Sequence, residues 1–171
     1  MTRAVLITGP PGIGKTSIAR LLAARLDGVV ARLCGDVYVL AVTPFAINDD
    51  RRRFLAENLA SFTRHAAEHA YDWVVLECVI PSDAWIENLI AASGLPRQSW
   101  SVFSLLSQRK AYERRLREKL RDYDTSAVNF DECFEWLERI RAMRLPVSID
   151  TSEQTPDQTV KAVASHPGFA D

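Results

Sequence analysis

The sequence predicts an α/β protein in which a parallel sheet lies between two layers of helices, a three-layer α/β/α sandwich. Apolar runs of strand length alternate along the chain with segments of helical periodicity, which is the order of β-α-β units. The run 73–80 is almost continuously apolar, as expected of a strand covered on both faces. A glycine-rich turn follows the first run and leads into an amphipathic helix. In such a doubly wound sheet, ligands bind at the carboxyl ends of the strands.

Each half of the chain contributes strands and helices in alternation. In the first half, strands are expected at 4–8, 29–34 and 73–80, with a further apolar segment at 37–42, and helices from about residue 14, over 51–69 and over 84–92. In the second half, strands are expected at 100–106 and 146–149, and helices over 109–121, 131–143 and 155–164. The elements therefore predict one domain that spans residues 1–171.

Composition places this domain among ordinary soluble proteins. The chain has 171 residues, of which 47% are hydrophobic and 25% charged, and its formal net charge is −1. A charge so close to zero gives no general attraction to nucleic acid or to a membrane surface. The longest apolar stretch is far shorter than a membrane span, so no membrane partner is expected. Nothing in the pattern indicates an oligomeric state.

The cysteines favour a reducing compartment. Cys34, Cys78 and Cys133 are odd in number, far apart and set in apolar surroundings, which argues against both a disulfide framework and a zinc site. The apolar run at the amino terminus ends at the glycine-rich turn and is too short for a signal peptide. We therefore expect a cytoplasmic protein.

The glycine-rich turn has the spacing of a phosphate-binding loop, G-x-x-x-x-G-K-[ST]. In such loops the backbone N–H groups surround phosphates, the lysine reaches the β- and γ-phosphates, and the hydroxyl that follows it binds Mg²⁺. The predicted nucleotide-binding residues are Gly9, Pro10, Pro11, Gly12, Ile13, Gly14, Lys15, Thr16 and Ser17. The loop therefore predicts a site for ATP and Mg²⁺, with Lys15 as a catalytic residue and Thr16 as a metal ligand.

Two carboxylates occupy strand ends, where ligands of such a sheet gather. Asp36 follows the second strand and could accept the proton of an attacking hydroxyl or orient a metal-bound water; the alternative is a turn or cap aspartate. Glu77 lies in the buried third strand, where a charge is costly unless it is paired or near Mg²⁺. A metal-binding role is therefore predicted for Glu77, and the alternative is a carboxylate satisfied by a neighbouring arginine.

The predicted helix at 109–121 carries seven basic and two acidic residues. Arg115 and Lys119 are one turn apart beside the apolar stripe, which directs them toward the body of the protein. They are the predicted contacts to the nucleotide, and Arg115 is also a candidate for stabilising the charge of a transferred phosphoryl group. The alternative is an exposed charged helix with a nucleic-acid or protein partner.

A third pattern, His65-Ala66-Ala67-Glu68-His69, matches the H-x-x-E-H signature of inverted zinc peptidases. We reject a zinc role because this helix belongs to a series of β-α-β units whose glycine-rich loop predicts phosphate binding. We expect instead a half-exposed helix face.

With these motifs in place, the chain resembles the small-molecule kinases of the nucleoside-monophosphate-kinase superfamily: the shikimate, gluconate and chloramphenicol phosphotransferase group. Besides the loop, Leu33-Cys34-Gly35-Asp36 resembles the strand-end aspartate motif of this group, Arg115 to Lys119 resembles its R-x-x-x-R lid spacing with lysine in second place, and Asp150-Thr151-Ser152 resembles its base-binding loop. The resemblance implies a P-loop NTPase fold with a five-stranded parallel sheet in order 2-3-1-4-5 and a lid-like segment at about 109–130. It also implies that Asp36 is the catalytic base. The four variable positions of the loop motif are occupied by Pro10-Pro11-Gly12-Ile13, a sequence commoner in AAA-type ATPases. The chain, however, leaves little room for the helical lid domain of such a module.

The sequence therefore predicts an ATP-dependent phosphotransferase that moves the γ-phosphoryl group to a hydroxyl of a small molecule. Residues 51–53 are three arginines that start the helix bordering the acceptor pocket in this superfamily, so the acceptor can be anionic. A nucleotide-binding regulatory NTPase without a phosphoryl acceptor is the alternative. A nucleic-acid end kinase is disfavoured, because the net charge is near zero and the sequence shows no pattern of aromatic residues for stacking on bases.

Overall fold

The computed structural model describes residues 1–35, 49–80, 82–119, 129–143 and 145–169. Its strands are β1 (Arg3–Thr8), β2 (Val30–Cys34), β3 (Trp73–Glu77), β4 (Trp100–Leu106) and β5 (Val147–Asp150). They form one sheet in the order β2-β3-β1-β4-β5, and every neighbouring pair is parallel. Both the parallel sheet and its predicted order 2-3-1-4-5 are therefore confirmed.

The helices alternate with these strands. They are α1 (Lys15–Ala23), α2 (Asp49–Glu68), α3 (Asp83–Ser93), α4 (Arg109–Lys119), α5 (Phe130–Ala142) and α6 (Pro156–Ala164), with short 3₁₀ turns at Arg97–Ser99 and Pro167–Phe169. None of the helices in the described part of the chain is both long enough and apolar enough to cross a bilayer.

The two faces of the sheet are covered by different helices. On β1, Val5 and Ile7 belong to a buried cluster with residues of α1, α4, α5 and α6. Leu6, which points to the opposite face, belongs to a second cluster with residues of α2 and α3. This is the predicted three-layer sandwich, and it leaves the carboxyl ends of the strands at one edge between the layers.

Several helix ends carry capping residues that can be recognised in the sequence. The Ser82 side chain accepts a hydrogen bond from the amide of Trp85 and caps α3, and Gly94 ends that helix with a positive φ of 75°. Thr155 and Gln158 form a reciprocal capping box at the start of α6. Such caps satisfy amides that would otherwise have no partner within the helix.

Several boundaries differ from the sequence-based expectation. Strand β3 ends at Glu77, not at residue 80. Its neighbour β2 ends at Cys34, and the amide of Gly35 just beyond it donates to the carbonyl oxygen of Glu77. Ile80 is nevertheless fully buried, in the cluster under α2 and α3. Helix α2 begins two residues before the expected position. The apolar segment 37–42 and the extension of α4 to residue 121 lie outside the described residues.

Candidate nucleotide-binding site

The glycine-rich loop connects the carboxyl end of β1 to the start of α1, as predicted. Gly12 and Gly14 have φ angles of 77° and 110°, which side chains with a Cβ rarely adopt. At Gly12 there is also no space for one, because a Cβ would overlap Leu116 Cδ2 on α4. The loop therefore packs directly against α4.

The start of α1 is suited to bind an anion. Gly14 is its N-cap, and among the described residues no side chain caps this end and no acidic residue occupies the first turn. The first amides of a helix have no partner within the helix, and the helix dipole is positive there. Thr16 and Ser17 are exposed in this first turn. The arrangement fits the phosphates of a nucleotide and a Thr16-bound Mg²⁺.

Lys15 lies inside the loop that precedes it. Its side chain is 6% exposed, and its Nζ donates hydrogen bonds of 3.1 Å to the carbonyl oxygens of Gly9 and of Pro10. A buried ammonium group is costly unless such acceptors surround it. The two carbonyls hold the positive charge of Lys15 beside the start of α1.

A cleft of about 310 Å³ opens over this loop. Its walls come from the loop, α1, α4, the segment after β5 and α6; they are Gly12, Ile13, Gly14, Lys15, Thr16, Ser17, Ile18, Arg115, Lys119, Thr151, Gln154, Pro156 and Thr159. The structure thus brings Arg115 and Lys119 together with the phosphate loop, and their contact with a nucleotide remains a prediction. Gly9, Pro10 and Pro11 are not among the cleft-lining residues in the described structure, so their contact with a nucleotide remains a prediction.

Arg115 joins α4 to the segment that follows β5. Its guanidinium donates to Thr151 Oγ1 at 2.8 Å and to the carbonyl oxygens of Thr151, Ser152 and Gln154. One guanidinium with five donors can satisfy such a set of oxygens, which an ammonium group cannot do in the same geometry. Arg115 therefore shapes the wall of the cleft opposite the phosphate loop.

Hydrogen bonds within the segment after β5 fix its path. The backbone amide and hydroxyl of Ser152 both donate to Asp150 Oδ1, and the Ser152 hydroxyl accepts from the amide of Gln108 at 2.7 Å. The hydrogen bond from the Ser152 hydroxyl, followed by the one from its amide, lowers the pKa of Asp150 below its ordinary value. This segment is therefore tied to the start of α4 as well as to Arg115.

Glu77 is buried at the end of β3 and forms an ion pair. Its side chain is 1% exposed, and its Oε1 lies 2.6 Å from Nη1 of Arg32 on the neighbouring strand β2. The arrangement matches the alternative in which a neighbouring arginine satisfies this carboxylate. Sequence reasoning did not name Arg32, because its partner is reached across the sheet and not along the chain. A contact between Glu77 and Mg²⁺ remains a prediction.

Asp36 lies outside the described residues, so its role as the catalytic base also remains a prediction. The residue before it is described: the amide of Gly35 donates to the carbonyl oxygen of Glu77 at 2.7 Å. A Cβ on Gly35 would lie 3.3 Å from Leu55 of α2. The chain therefore leaves β2 between Glu77 and the beginning of α2.

Tyr112 is a contact to the loop that sequence reasoning missed. At helical spacing it falls in the apolar stripe of α4 with Leu116, and its ring is fully buried. Its hydroxyl, however, donates to the carbonyl oxygen of Pro11 in the phosphate loop. A tyrosine in an otherwise apolar stripe is the available signal, since a buried phenol hydroxyl usually has a hydrogen-bond partner.

The structure also shows where the other candidates lie. His65 and Glu68 are exposed on α2 and His69 is exposed just after it, and within the described residues no group of three His, Cys, Asp or Glu side chains could hold a metal ion. A second groove, of about 480 Å³, lies between α2 and α3 and is lined in part by Arg52, Arg53 and Trp85. Two of the three arginines predicted to border an acceptor pocket therefore line a cavity.

Comparison with known proteins gives a family match over part of the chain. The model of the family described as "ATPase family associated with various cellular activities (AAA)" matches residues 5–80, the part that contains the loop and the first three strands. No curated protein sequence matches the chain.

Solved structures match over nearly the whole chain. An unliganded sugar kinase from Janibacter sp. HTCC2649 has a TM-score of 0.75 at 16% identity, over 99% of this chain and 96% of that one. A gluconokinase from Sinorhizobium meliloti 1021 has a TM-score of 0.70 at 18% identity, over 98% and 91%. A tunicamycin resistance protein from Deinococcus radiodurans has a TM-score of 0.70 at 22% identity, over 96% and 95%. The chain therefore has the P-loop α/β fold seen in these three structures, as the resemblance of its sequence implies.

Proposed function

We propose that this protein is an ATP-dependent phosphotransferase that moves the γ-phosphoryl group to a hydroxyl group of a small molecule. The observation that carries the proposal is the cleft in which the phosphate loop faces Arg115 and Lys119. Phosphoryl transfer depends mainly on positioning and on positive charge around the transferred group. Kinase structures that share the fold over nearly the full chain support the same reading.

Each candidate residue has a role in this proposal. Lys15 and the loop amides hold the phosphates, and Thr16 would hold Mg²⁺ with Glu77 as a second metal-binding candidate. When bound, the metal supplies positive charge that neutralises the phosphate oxygens. Arg115 and Lys119 stabilise the negative charge of the transferred group.

The proposed reaction leaves the loop's own groups unchanged. The acceptor oxygen forms a bond to the γ-phosphorus, the bond from that phosphorus to the β–γ bridging oxygen breaks, and ADP departs. The hydroxyl proton passes to the carboxylate of Asp36, the proposed base. The arginines of the groove between α2 and α3 support an acceptor that carries a carboxylate, phosphate or sulfate group.

The same proposal includes the organisation of the protein. Residues 1–171 would form one domain in which the segment 109–130 acts as a lid, and the enzyme would work in the cytoplasm. Cys34, Cys78 and Cys133, which the structure describes, are not joined by disulfide bonds, which supports a reducing compartment.

Replacing Asp36 separates this proposal from its alternative, a regulatory NTPase without an acceptor, which the AAA match over residues 5–80 supports. In a kinase, Asp36→Asn should lower acceptor-dependent transfer about 100-fold or more, the scale of a lost general base, while ATP affinity stays at the wild-type value. Asp27→Asn is the matched control, because Asp27 is exposed beyond the end of α1. Unchanged ATP turnover in Asp36→Asn, with or without acceptors, would favour the regulatory alternative.

A further inference from the structure

A hydrogen bond from a neighbouring helix holds the phosphate loop at one peptide. The Tyr112 hydroxyl on α4 donates to the carbonyl oxygen of Pro11, 101 positions away in the chain. The ring is fully buried and meets Phe134 edge to face, with 6.0 Å between the ring centroids. Burial and this ring contact therefore restrict the ring and keep the hydroxyl at the loop.

The bond also determines where an amide of the loop points. The Pro11 carbonyl and the Gly12 N–H belong to one planar trans peptide, so they point in opposite directions. Pro10 and Pro11 have no N–H, which makes Gly12 the first residue after Gly9 whose amide can donate to a phosphate. Since Tyr112 holds the carbonyl, the Gly12 amide is directed away from the Tyr112 hydroxyl. Gly12 itself lines the cleft.

Such a peptide needs an external restraint. Gly12 has no side chain, and its φ of 77° is one of several that glycine can adopt. Rotation of the Pro11–Gly12 peptide would exchange the positions of its carbonyl and its amide and present an oxygen where a phosphate requires a donor. Leu116, one turn after Tyr112, limits the space at Gly12 and so also restrains this peptide.

The donor is also insensitive to pH. Burial, with a smaller contribution from the neighbouring Cys133 thiol, raises the pKa of Tyr112 above its ordinary value. The phenol therefore stays protonated, and able to donate, at every pH below the ordinary tyrosine pKa of 10.0.

We infer that Tyr112 is a positioning residue for phosphate binding: its hydroxyl holds the Pro11–Gly12 peptide so that the Gly12 amide is offered to phosphate. This inference rests on the phosphate-binding part of the proposed function and not on the identity of an acceptor. Because Arg115 lies on the same helix, α4 positions both walls of the cleft.

The test uses tripolyphosphate, which probes the loop without a base or sugar. Tyr112→Phe keeps the ring and removes only the hydroxyl. By calorimetric titration we expect it to bind tripolyphosphate about tenfold more weakly than the wild type, the scale of one lost hydrogen bond to a functional group. Tyr71→Phe is the control, because Tyr71 precedes β3 and so lies at the amino-terminal ends of the strands, whereas the loop lies at their carboxyl ends. The tripolyphosphate affinity of this variant should be unchanged.

A purely structural role of Tyr112 predicts a different result. It would lower the melting temperature of Tyr112→Phe but leave tripolyphosphate affinity at the wild-type value below that temperature, and this outcome would overturn the inference. A wild-type protein that does not bind tripolyphosphate would overturn the proposed nucleotide site as well. Binding without any phosphoryl transfer would instead contradict only the kinase activity.

A second measurement needs no variant. The chain has seven glycines, so glycine labelled with ¹⁵N gives a simple amide spectrum. In the wild type, tripolyphosphate should shift the Gly12 amide resonance strongly and the Gly94 resonance, at the far end of α3, negligibly. A Gly12 resonance that does not move on saturation would contradict the inference.

Discussion

The buried carboxylate of Glu77 forms an ion pair with an arginine from another strand. Nη1 of Arg32 lies 2.6 Å from the Glu77 carboxylate. The Arg32 side chain is 34% exposed, so solvent reaches the arginine but hardly reaches the carboxylate. A charge with 1% exposure loses most of its hydration, and its partner has to compensate for that loss. The contact therefore links the buried carboxylate on β3 to the neighbouring strand β2.

Removing one partner of this pair should cost more than removing both. Arg32→Met should lower the free energy of unfolding by about 2 kcal/mol, because it removes a hydrogen-bonded guanidinium from a buried carboxylate. The double variant Arg32→Met with Glu77→Gln should recover part of that loss. Urea denaturation of the two single variants and the double variant measures the coupling. Strictly additive losses would show that the pair contributes nothing beyond its separate side chains.

Helix α4 is the element that connects the two walls of the cleft. Tyr112 contacts the phosphate loop, and Arg115, on the same helix, contacts the carbonyls of the segment after β5. An α-helix transmits position rigidly over one turn, since its own hydrogen bonds fix its geometry. A displacement of α4 would therefore change both walls together.

The contribution of Arg115 can be separated from that of a basic helix in general. Arg115→Ala should weaken ATP binding about tenfold or more, because several hydrogen bonds to the segment after β5 are lost together with a positive charge at the cleft. Arg114→Ala removes an adjacent arginine that is exposed on the same helix and should have little effect. Titration of both variants with ATP is the measurement. Equal losses would indicate that only the overall charge of α4 matters.

The segment after β5 should have a pH-dependent stability that can be traced to Asp150. Its pKa is lowered from 3.8, first by the Ser152 hydroxyl, so its stabilising contribution is complete above pH 3.8 and is lost as the pH falls through the lower, folded-state value. The difference in melting temperature between the wild type and Asp150→Asn should therefore be constant above about pH 5 and shrink below pH 3.8. A difference that does not change across this range would exclude the carboxylate as its source.

The sequence predicted the strands and helices better than it predicted the contacts between them. The boundaries of β4 agree with the expectation to the residue, because its apolar run is bounded by polar residues on both sides. The same apolar criterion extended β3 too far, since Ile80 is buried by helices without pairing in the sheet. The bonds Tyr112–Pro11 and Arg32–Glu77 join residues that are distant along the chain, and one sequence carries no signal for such distances.

At the scale of the whole molecule, strand order determines which residues can form a site. Since β1 lies between β3 and β4, the phosphate loop emerges beside the ends of both, and β5 brings Thr151 to the other side of the cleft. The loop motif and the alternation of elements predicted this edge from sequence. The acceptor was not predictable, because residues that select it are distributed over separate elements and share no motif.

Acceptor-dependent transfer is the central claim, and ³¹P NMR of the purified protein with ATP and Mg²⁺ tests it most directly. The experiment compares mixtures without an acceptor to mixtures with panels of sugars, antibiotics, nucleosides and hydroxylated acids, the last chosen for the arginine-lined groove. The account predicts that at least one panel produces ADP together with an equal amount of a new phosphate monoester. Slow release of inorganic phosphate at a rate that no panel changes would contradict it and favour the regulatory NTPase.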